Sequence, residues 1–147
     1  MTLQTDNRKG TGSPVISSLR YDDAPAAIEW LCEAFGFERH LVVPGQEGGI
    51  LHAQLSFGQG MIMLGSSGGH GEFDAFVKSA KELGGVGSQS IYVVVPDADV
   101  AEARAVKAGA EIVLPVSDQD YGGRGFSCTD LEGNVWSFGS YDPWHEE

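Results

Sequence analysis

The hydrophobic positions change period along the chain, and then the whole series recurs. PVISSLRY, residues 14–21, reads as a strand ending at Asp22 and Asp23. Ile28, Leu31, Cys32 and Phe35 follow at i, i+3, i+4 and i+7, which is one face of a helix. Asp23 suits its N-cap, Pro25 its first turn and Gly36 its left-handed stop. Three strands are expected next, in FERHLVV, GILHAQLSF and MIMLG, separated by the glycine-bearing turns PGQEGG and GQG. SSGGHGE then leads into a short amphipathic helix with Phe73, Phe76, Val77 and Ala80 on one side, broken by ELGGVGSQ.

The second half repeats this order. SIYVVV is a strand with almost no alternation, as expected where both faces are covered. DADVAEARAVKAG is a helix with Asp97 as N-cap and Gly109 as stop. AEIVLPV is a strand expected to end near Pro115, and DLEG turns GRGFSCTD into NVWSFGSY. The chain therefore reads β-α-β-β-β twice, an α+β pattern in a single domain over residues 14–147. Module one spans 14–66, a linker helix 67–86 and module two 87–144, with a tail over 1–13. Either module alone leaves a sheet face bare, so the two are expected to pair around a shared cleft with the helices outside.

Composition narrows the classes. At 147 residues and 41% hydrophobic content the chain can bury a core without disulfide staples. The net charge of −12, with nine Lys plus Arg, argues against nucleic acid and anionic membrane surfaces. It favours either a cationic ligand or solubility alone. Cys32 and Cys128 match no metal or redox spacing, and Cys32 lies on the helix's apolar face, where a reduced, buried thiol is expected. No apolar run is long enough to span a bilayer, and MTLQTDNRKGTGSP lacks the apolar core of a secretion signal. A reducing cytoplasm is the expected location.

The duplicated unit, DLEGNVWSF in the last hairpin and YGGRGFSCTD before it resemble the vicinal oxygen chelate superfamily. That superfamily includes glyoxalase I, extradiol dioxygenases, and the fosfomycin- and bleomycin-resistance proteins. The resemblance covers roughly residues 14–144, and the glyoxalase/bleomycin-resistance-like members are the most similar in their last strands. It implies two βαβββ modules forming a U-shaped mixed sheet, and often a homodimer. It does not imply one reaction, because members differ in what lines the cleft.

Metal-using members place one ligand, mostly His or Glu, on the first and fourth strands of each module. The matching positions here are Ile16, Met63, Ser90 and Ser137. An isoleucine cannot ligate, a thioether is a poor partner for Mn, Mg, Ni or Fe, and neutral hydroxyls are weak ligands. A slip of one residue brings in no His, Asp or Glu either. No metal and no cofactor is therefore expected.

Alternation in GILHAQLSF sends His52 and Gln54 to the cleft, joined by Met61 and Met63, by Ser90, Tyr92 and Val94, and by Ser137 and Gly139 of the last strand. Trp136 and Phe138 turn outward beneath helices. His52 is the best catalytic candidate, because imidazole titrates near neutrality, but it has no orienting partner legible in the sequence. It is otherwise a structural histidine in a sheet. His40 is expected to face solvent at a sheet edge, while His70 lies in the linker and His145 in the tail. In YGGRG, Tyr121 either stacks on a ligand and Arg124 binds a carboxylate, or the segment is a hairpin turn with a surface arginine. Tyr141 and Trp144 are expected to pack on the domain or on a partner subunit.

The expected function is metal-independent binding of a small molecule, cationic or aromatic, sequestered in clefts of a homodimer in the manner of bleomycin-resistance-type members. The alternative is a glyoxalase-like lyase or isomerase, or an oxygenase-like enzyme, using His52 or a non-standard metal site. A third possibility is a domain for protein interaction.

Overall fold

A computed structural model describes residues 12–145. The expected tail, apart from Gly12 and Ser13, and the last two glutamates lie outside the described residues. Among the described residues there are two α-helices and eight strands, and the strands form two four-stranded mixed sheets. The strands are β1 (Ser17–Tyr21), β2 (Glu38–Pro44), β3 (Ile50–Phe57), β4 (Gly60–Ser66), β5 (Ser90–Val94), β6 (Glu111–Asp118), β7 (Arg124–Thr129) and β8 (Val135–Gly139). The helices are α1 (Ala24–Phe35) and α2 (Ala98–Lys107). The first sheet runs β1-β4-β3-β2 and the second β5-β8-β7-β6. In each, the first and last strands of the module pair in parallel and the other pairs are antiparallel. The repeat seen in the sequence is thus a repeat of topology.

The capping residues sit where the sequence put them. Asp23 accepts from the Ala26 amide at 3.2 Å, proline stands in the first turn, and Gly36 closes α1 at φ 86°. Asp97 accepts from the Val100 amide at 3.1 Å, and Gly109 takes φ 96° just beyond the Ala108 cap of α2. The chain folds as two compact units. Among the described residues, the first holds the chain from Gly12 to Cys32 and again over Gly36–Ser79, and the second holds Glu33–Phe35 and the chain from Ala80 to His145.

In the first unit the buried set is one face of α1 (Ala27, Ile28, Leu31) with Tyr21, Ala53, Leu55, Ile62 and Leu64 of the strands. Alternation along β3 and β4 therefore leaves His52, Gln54, Met61 and Met63 on the opposite face. In the second unit, α2 packs against β6, β7 and β8. Trp136 and Phe138 are fully buried there, and the Phe35 ring lies 5.2 Å from Trp136 and 4.6 Å from Phe138. Both indeed pack toward helices, and Ser137 between them turns the other way.

Three expectations need correction. The linker helix is a five-residue 3-10 turn, Gly71–Ala75, with Phe73 and Phe76 exposed. Gly68, Gly69 and Gly71 all take positive φ just before and at its start, so no α-helical nucleus forms. The strand expected to stop near Pro115 continues to Asp118. β6 is an edge strand, and its pairing with β7 shifts register between Leu114 and Ser117, where a residue without an N–H is tolerated. Cys32 is only half-buried, its sulfur 3.7 Å from Arg39 Nη1, whereas Cys128 is fully buried. Burial pushes the Cys128 thiol up to about 12.

The hairpin between β7 and β8 is organised by Asp130. Its buried carboxylate accepts from the backbone amides of Glu132 and Asn134 at 3.0 Å, from Asn134 Nδ2 at 3.0 Å and from Trp136 Nε1 at 3.0 Å. Gly133 closes the turn at φ 100°, and a Cβ there would stand 2.4 Å from the Gly85 carbonyl oxygen. Asp130→Ala strips several buried donors of their acceptor at about 1–3 kcal/mol each. Urea unfolding followed by tryptophan fluorescence is expected to show a loss of at least about 3 kcal/mol. Asp130→Asn should lose less.

Candidate functional site

On the open face of the second sheet, Tyr92 pairs with Ser137 and Ser137 with Ser127. The two serine hydroxyls lie 2.7 Å apart, one donating to the other. Gly125 pairs with Gly139 in the next row, so the sheet is bare of side chains there. Tyr92 lies over this bare patch. Its hydroxyl donates to the Tyr141 carbonyl at 2.7 Å, and a Cβ on Gly139 would stand 2.6 Å from that hydroxyl oxygen. Tyr121 meets Tyr141 edge to face with centroids 5.3 Å apart.

These residues enclose a basin of about 440 Å³. Its floor is Gly125, Ser127 and Ser137, and its walls are Tyr92, Tyr121, Leu114, Pro115, Ser117 and Gln119. Among the described residues no charged side chain lines it. Burial, and after it the neighbouring Tyr121, raises the Tyr92 hydroxyl above its ordinary pKa, so it remains a neutral donor.

The open face of the first sheet carries a different arrangement. Gln54 Oε1 is 3.0 Å from His52 Nε2, and Gln54 Nε2 is 3.0 Å from His40 Nδ1. The amide accepts from His52 and donates to His40, and in the neutral His52 ring this leaves Nδ1 as the lone-pair acceptor. Gln54 is thus the orienting partner that the sequence did not reveal. His40 is on the edge strand as expected but does not simply face water. The β2–β3 register slips between Arg39 and Leu41, and the bulge re-aims its ring toward Gln54.

The predicted site residues therefore sort by unit. Tyr92, Tyr121 and Ser137 come together in the basin, while His52, Gln54, Met61 and Met63 share the first sheet's open face. Ser90 is on the open face of β5, paired with Val135, but does not line the basin. Arg124 is not brought to the basin. Its side chain shares the β7 face of Phe126 and Cys128, and its guanidinium is held by Asp99 at 2.9 and 3.3 Å and by Asp118 at 3.2 Å. The hydrogen bonds from Arg124 hold the Asp99 carboxyl below its usual range. Tyr141 packs on Tyr121 as expected of a terminal aromatic, whereas Trp144 is almost fully exposed.

Sequence reasoning placed Gly139 on this face beside Ser137 but missed Ser127, Gln119 and the role of His40. Counting alternation from Phe126 would have found Ser127. The bulge hid His40, because one extra residue inverts the parity of the strand.

A larger hollow of about 640 Å³ in the first unit is walled by Gln46, Glu47, Ser66 and the glycines around them, and includes none of the predicted site residues. Of the four positions that the resemblance assigns to metal ligands, Ile16 lies one residue before β1 and Ser90 opens β5. Met63 pairs with Ser18, two residues after Ile16, and Ser137 pairs with Tyr92, two after Ser90. A thioether, an alkyl chain and two neutral hydroxyls, one of them engaged with Ser127, do not fit a divalent ion. Among the described residues no group of three or more His, Cys, Asp or Glu side chains is placed to hold one.

The fold and this repeated geometry define a class that comparison with known proteins bears out. Residues 14–138 match the family model of the glyoxalase/bleomycin resistance protein/dioxygenase superfamily, and the chain belongs to that superfamily. An uncharacterised protein of Mycobacterium bovis is 32% identical over 123 residues, covering 80% of this chain and 76% of its own length. The crystal structure of TioX from Micromonospora sp. ML1 is similar at 34% identity and a TM-score of 0.68, covering 87% of this chain and 98% of TioX. The fosfomycin resistance protein FosX of Listeria monocytogenes shares the fold alone, at 12% identity and a TM-score of 0.64 over 90% of this chain and 96% of that one. No helix among the described residues is long and apolar enough to cross a membrane.

Two outcomes test the Tyr92 geometry. In ultraviolet titration one tyrosine should ionise above the ordinary value of about 10. Because its folded pKa is raised, its stabilising contribution is complete below the unfolded value and is lost as pH climbs through the folded one. Gly139→Ala should displace the ring, return this titration toward the ordinary value and cost about 1 kcal/mol from the broken hydrogen bond to Tyr141.

Proposed function

We propose that this protein binds a small molecule without a metal and sequesters it rather than transforming it. The observation that carries the reading is the basin's lining: two tyrosine rings and Leu114 over a floor of paired serine hydroxyls, with no charged group among the described residues. Such walls favour a flat, largely apolar ligand that offers one or two hydrogen-bonding atoms. The four positions at which metal-using relatives carry His or Glu hold Ile16, Met63, Ser90 and Ser137, which supports binding over metal chemistry. Sequestration is the mode of action that the resemblance to bleomycin-resistance-type members implies, and the superfamily matched by residues 14–138 includes that type. The net charge of −12 would draw an aromatic ligand that bears a cation on its solvent side. We place the protein in the cytoplasm as a homodimer.

One observation favours a second reading, a glyoxalase-like lyase or isomerase, or an oxygenase-like enzyme. His52, oriented by Gln54 with its Nδ1 lone pair free, has the geometry of a general base.

A thermal-shift screen with planar aromatic compounds should find ligands that raise the melting temperature. At a hundred times Kd the added stability is about 2.7 kcal/mol. Tyr92→Ala should weaken the best compound about tenfold or more, the equivalent of roughly 1.4 kcal/mol. His52→Ala should leave its affinity unchanged. Ligands indifferent to Tyr92, or a compound turned over by the wild type and only bound by His52→Ala, would sink the sequestration reading.

A further inference from the structure

Four arginines lie among the described residues, and three of them are satisfied. Arg39 is paired with Glu29, Arg124 with Asp99 and Asp118, and Arg104 Nε donates to the Glu33 carbonyl at 2.8 Å. Arg20 is different. It is half-buried on β1, its Nε is buried with no hydrogen-bond partner, and no carboxylate reaches it among the described residues. In a chain with 21 acidic side chains and nine basic ones, an arginine without a carboxylate is an anomaly that calls for a physical reason. A guanidinium taken partly out of water without a counter-charge is costly, and the cost is relieved when an anion occupies its free edge.

The surroundings hold the group in place without neutralising it. Arg20 pairs with Gly65 in the parallel β1–β4 ladder, on the open face that also carries Met63. A Cβ on Gly65 would stand 2.9 Å from the Leu51 carbonyl oxygen and 3.4 Å from both Arg20 Nη1 and His70 Nε2. Glycine thus lets the guanidinium fold down beside His70. Phe73, carried on the 3-10 turn, covers one face of it, with the guanidinium carbon 5.4 Å from the ring centroid. His70 Nε2 is occupied in donating to the Leu51 carbonyl at 3.1 Å and does not compete for an anion.

We propose that Arg20 is the anchor of a carboxylate-binding site within the first unit, taking a small monocarboxylic acid with a flat apolar body. The terminal nitrogens present the fork that matches two carboxylate oxygens. Phe73 and Met63 offer apolar surface for the body of the acid. This site goes beyond the aromatic basin, shares no residue with it, and takes a ligand that the chain's own net charge disfavours. Its selectivity must therefore come from Arg20 itself.

The probes are benzoate and its uncharged counterpart benzamide, titrated into 15N-labelled protein and read at the arginine Nε–H resonances and by calorimetry. Benzoate should shift the Arg20 resonance and bind at least tenfold tighter than benzamide. Arg20→Gln should abolish that preference, and Gly65→Ala, which crowds Leu51 and Arg20, should reduce it. Arg20→Lys keeps the charge but not the fork, and should lower the preference at least threefold even if Arg20→Gln does not fold. Equal binding of the two probes to the wild type, or a preference unchanged in Arg20→Gln or Arg20→Lys, overturns the proposal. Failure here leaves the Tyr92 experiment untouched, because that experiment uses other probes and other residues.

Discussion

The Asp130 carboxylate, buried at the turn between β7 and β8, closes the hairpin on which the open face of the second sheet depends. It accepts from two backbone amides, the Asn134 side chain and the Trp136 indole. A buried carboxylate is tolerable only when its oxygens are this fully occupied. With the hairpin closed, β8 can enter the sheet in only one register, since a slip of one residue would turn the Trp136 and Phe138 rings to the open face. The same register faces Ser137 toward Ser127 and sets Gly139 beneath Tyr92. The aromatic basin follows from the constraint that buries the core.

Each module divides its labour in this way. One sheet face is apolar and buried, and the other is free to carry function. Duplication gave the two units the same ladder but not the same chemistry. Row for row, Gln54 pairs with Met63 in the first unit where Ser127 pairs with Ser137 in the second. The first face carries imidazoles, an amide and an unpaired guanidinium, and the second carries hydroxyls and aromatic rings. Within the superfamily, such changes on a fixed ladder are the means by which one fold serves many ligands.

Most of the fold was legible because its signals are local. The apolar stripe of α1, the Asp23 and Asp97 caps and the alternation in β3 each depend on residues a few positions apart. Failures came where a non-local or backbone effect prevails. Phe73, Phe76, Val77 and Ala80 have helical spacing, but positive-φ glycines beside them prevent a helix. Pro115 signals a stop, but at an edge strand its missing donor costs no ladder bond. At the site, parity found Tyr92, Ser137, His52 and Gln54. It could not find His40, displaced by a bulge, or show that Arg124 belongs to Asp99 and Asp118 on the other face.

Metal-independent binding, as proposed for this superfamily member, rests on Ile16, Met63, Ser90 and Ser137, none of them a good ligand for a divalent ion. Its most direct test is metal loading. The purified protein, equilibrated in turn with Mn, Fe, Ni and Zn and freed of unbound ion by gel filtration, is analysed by mass spectrometry for metal per chain. Well below one equivalent of each is expected, with ligand affinity unchanged after chelation. One tightly held equivalent, lost to chelator together with ligand binding or turnover, would contradict metal-independent binding.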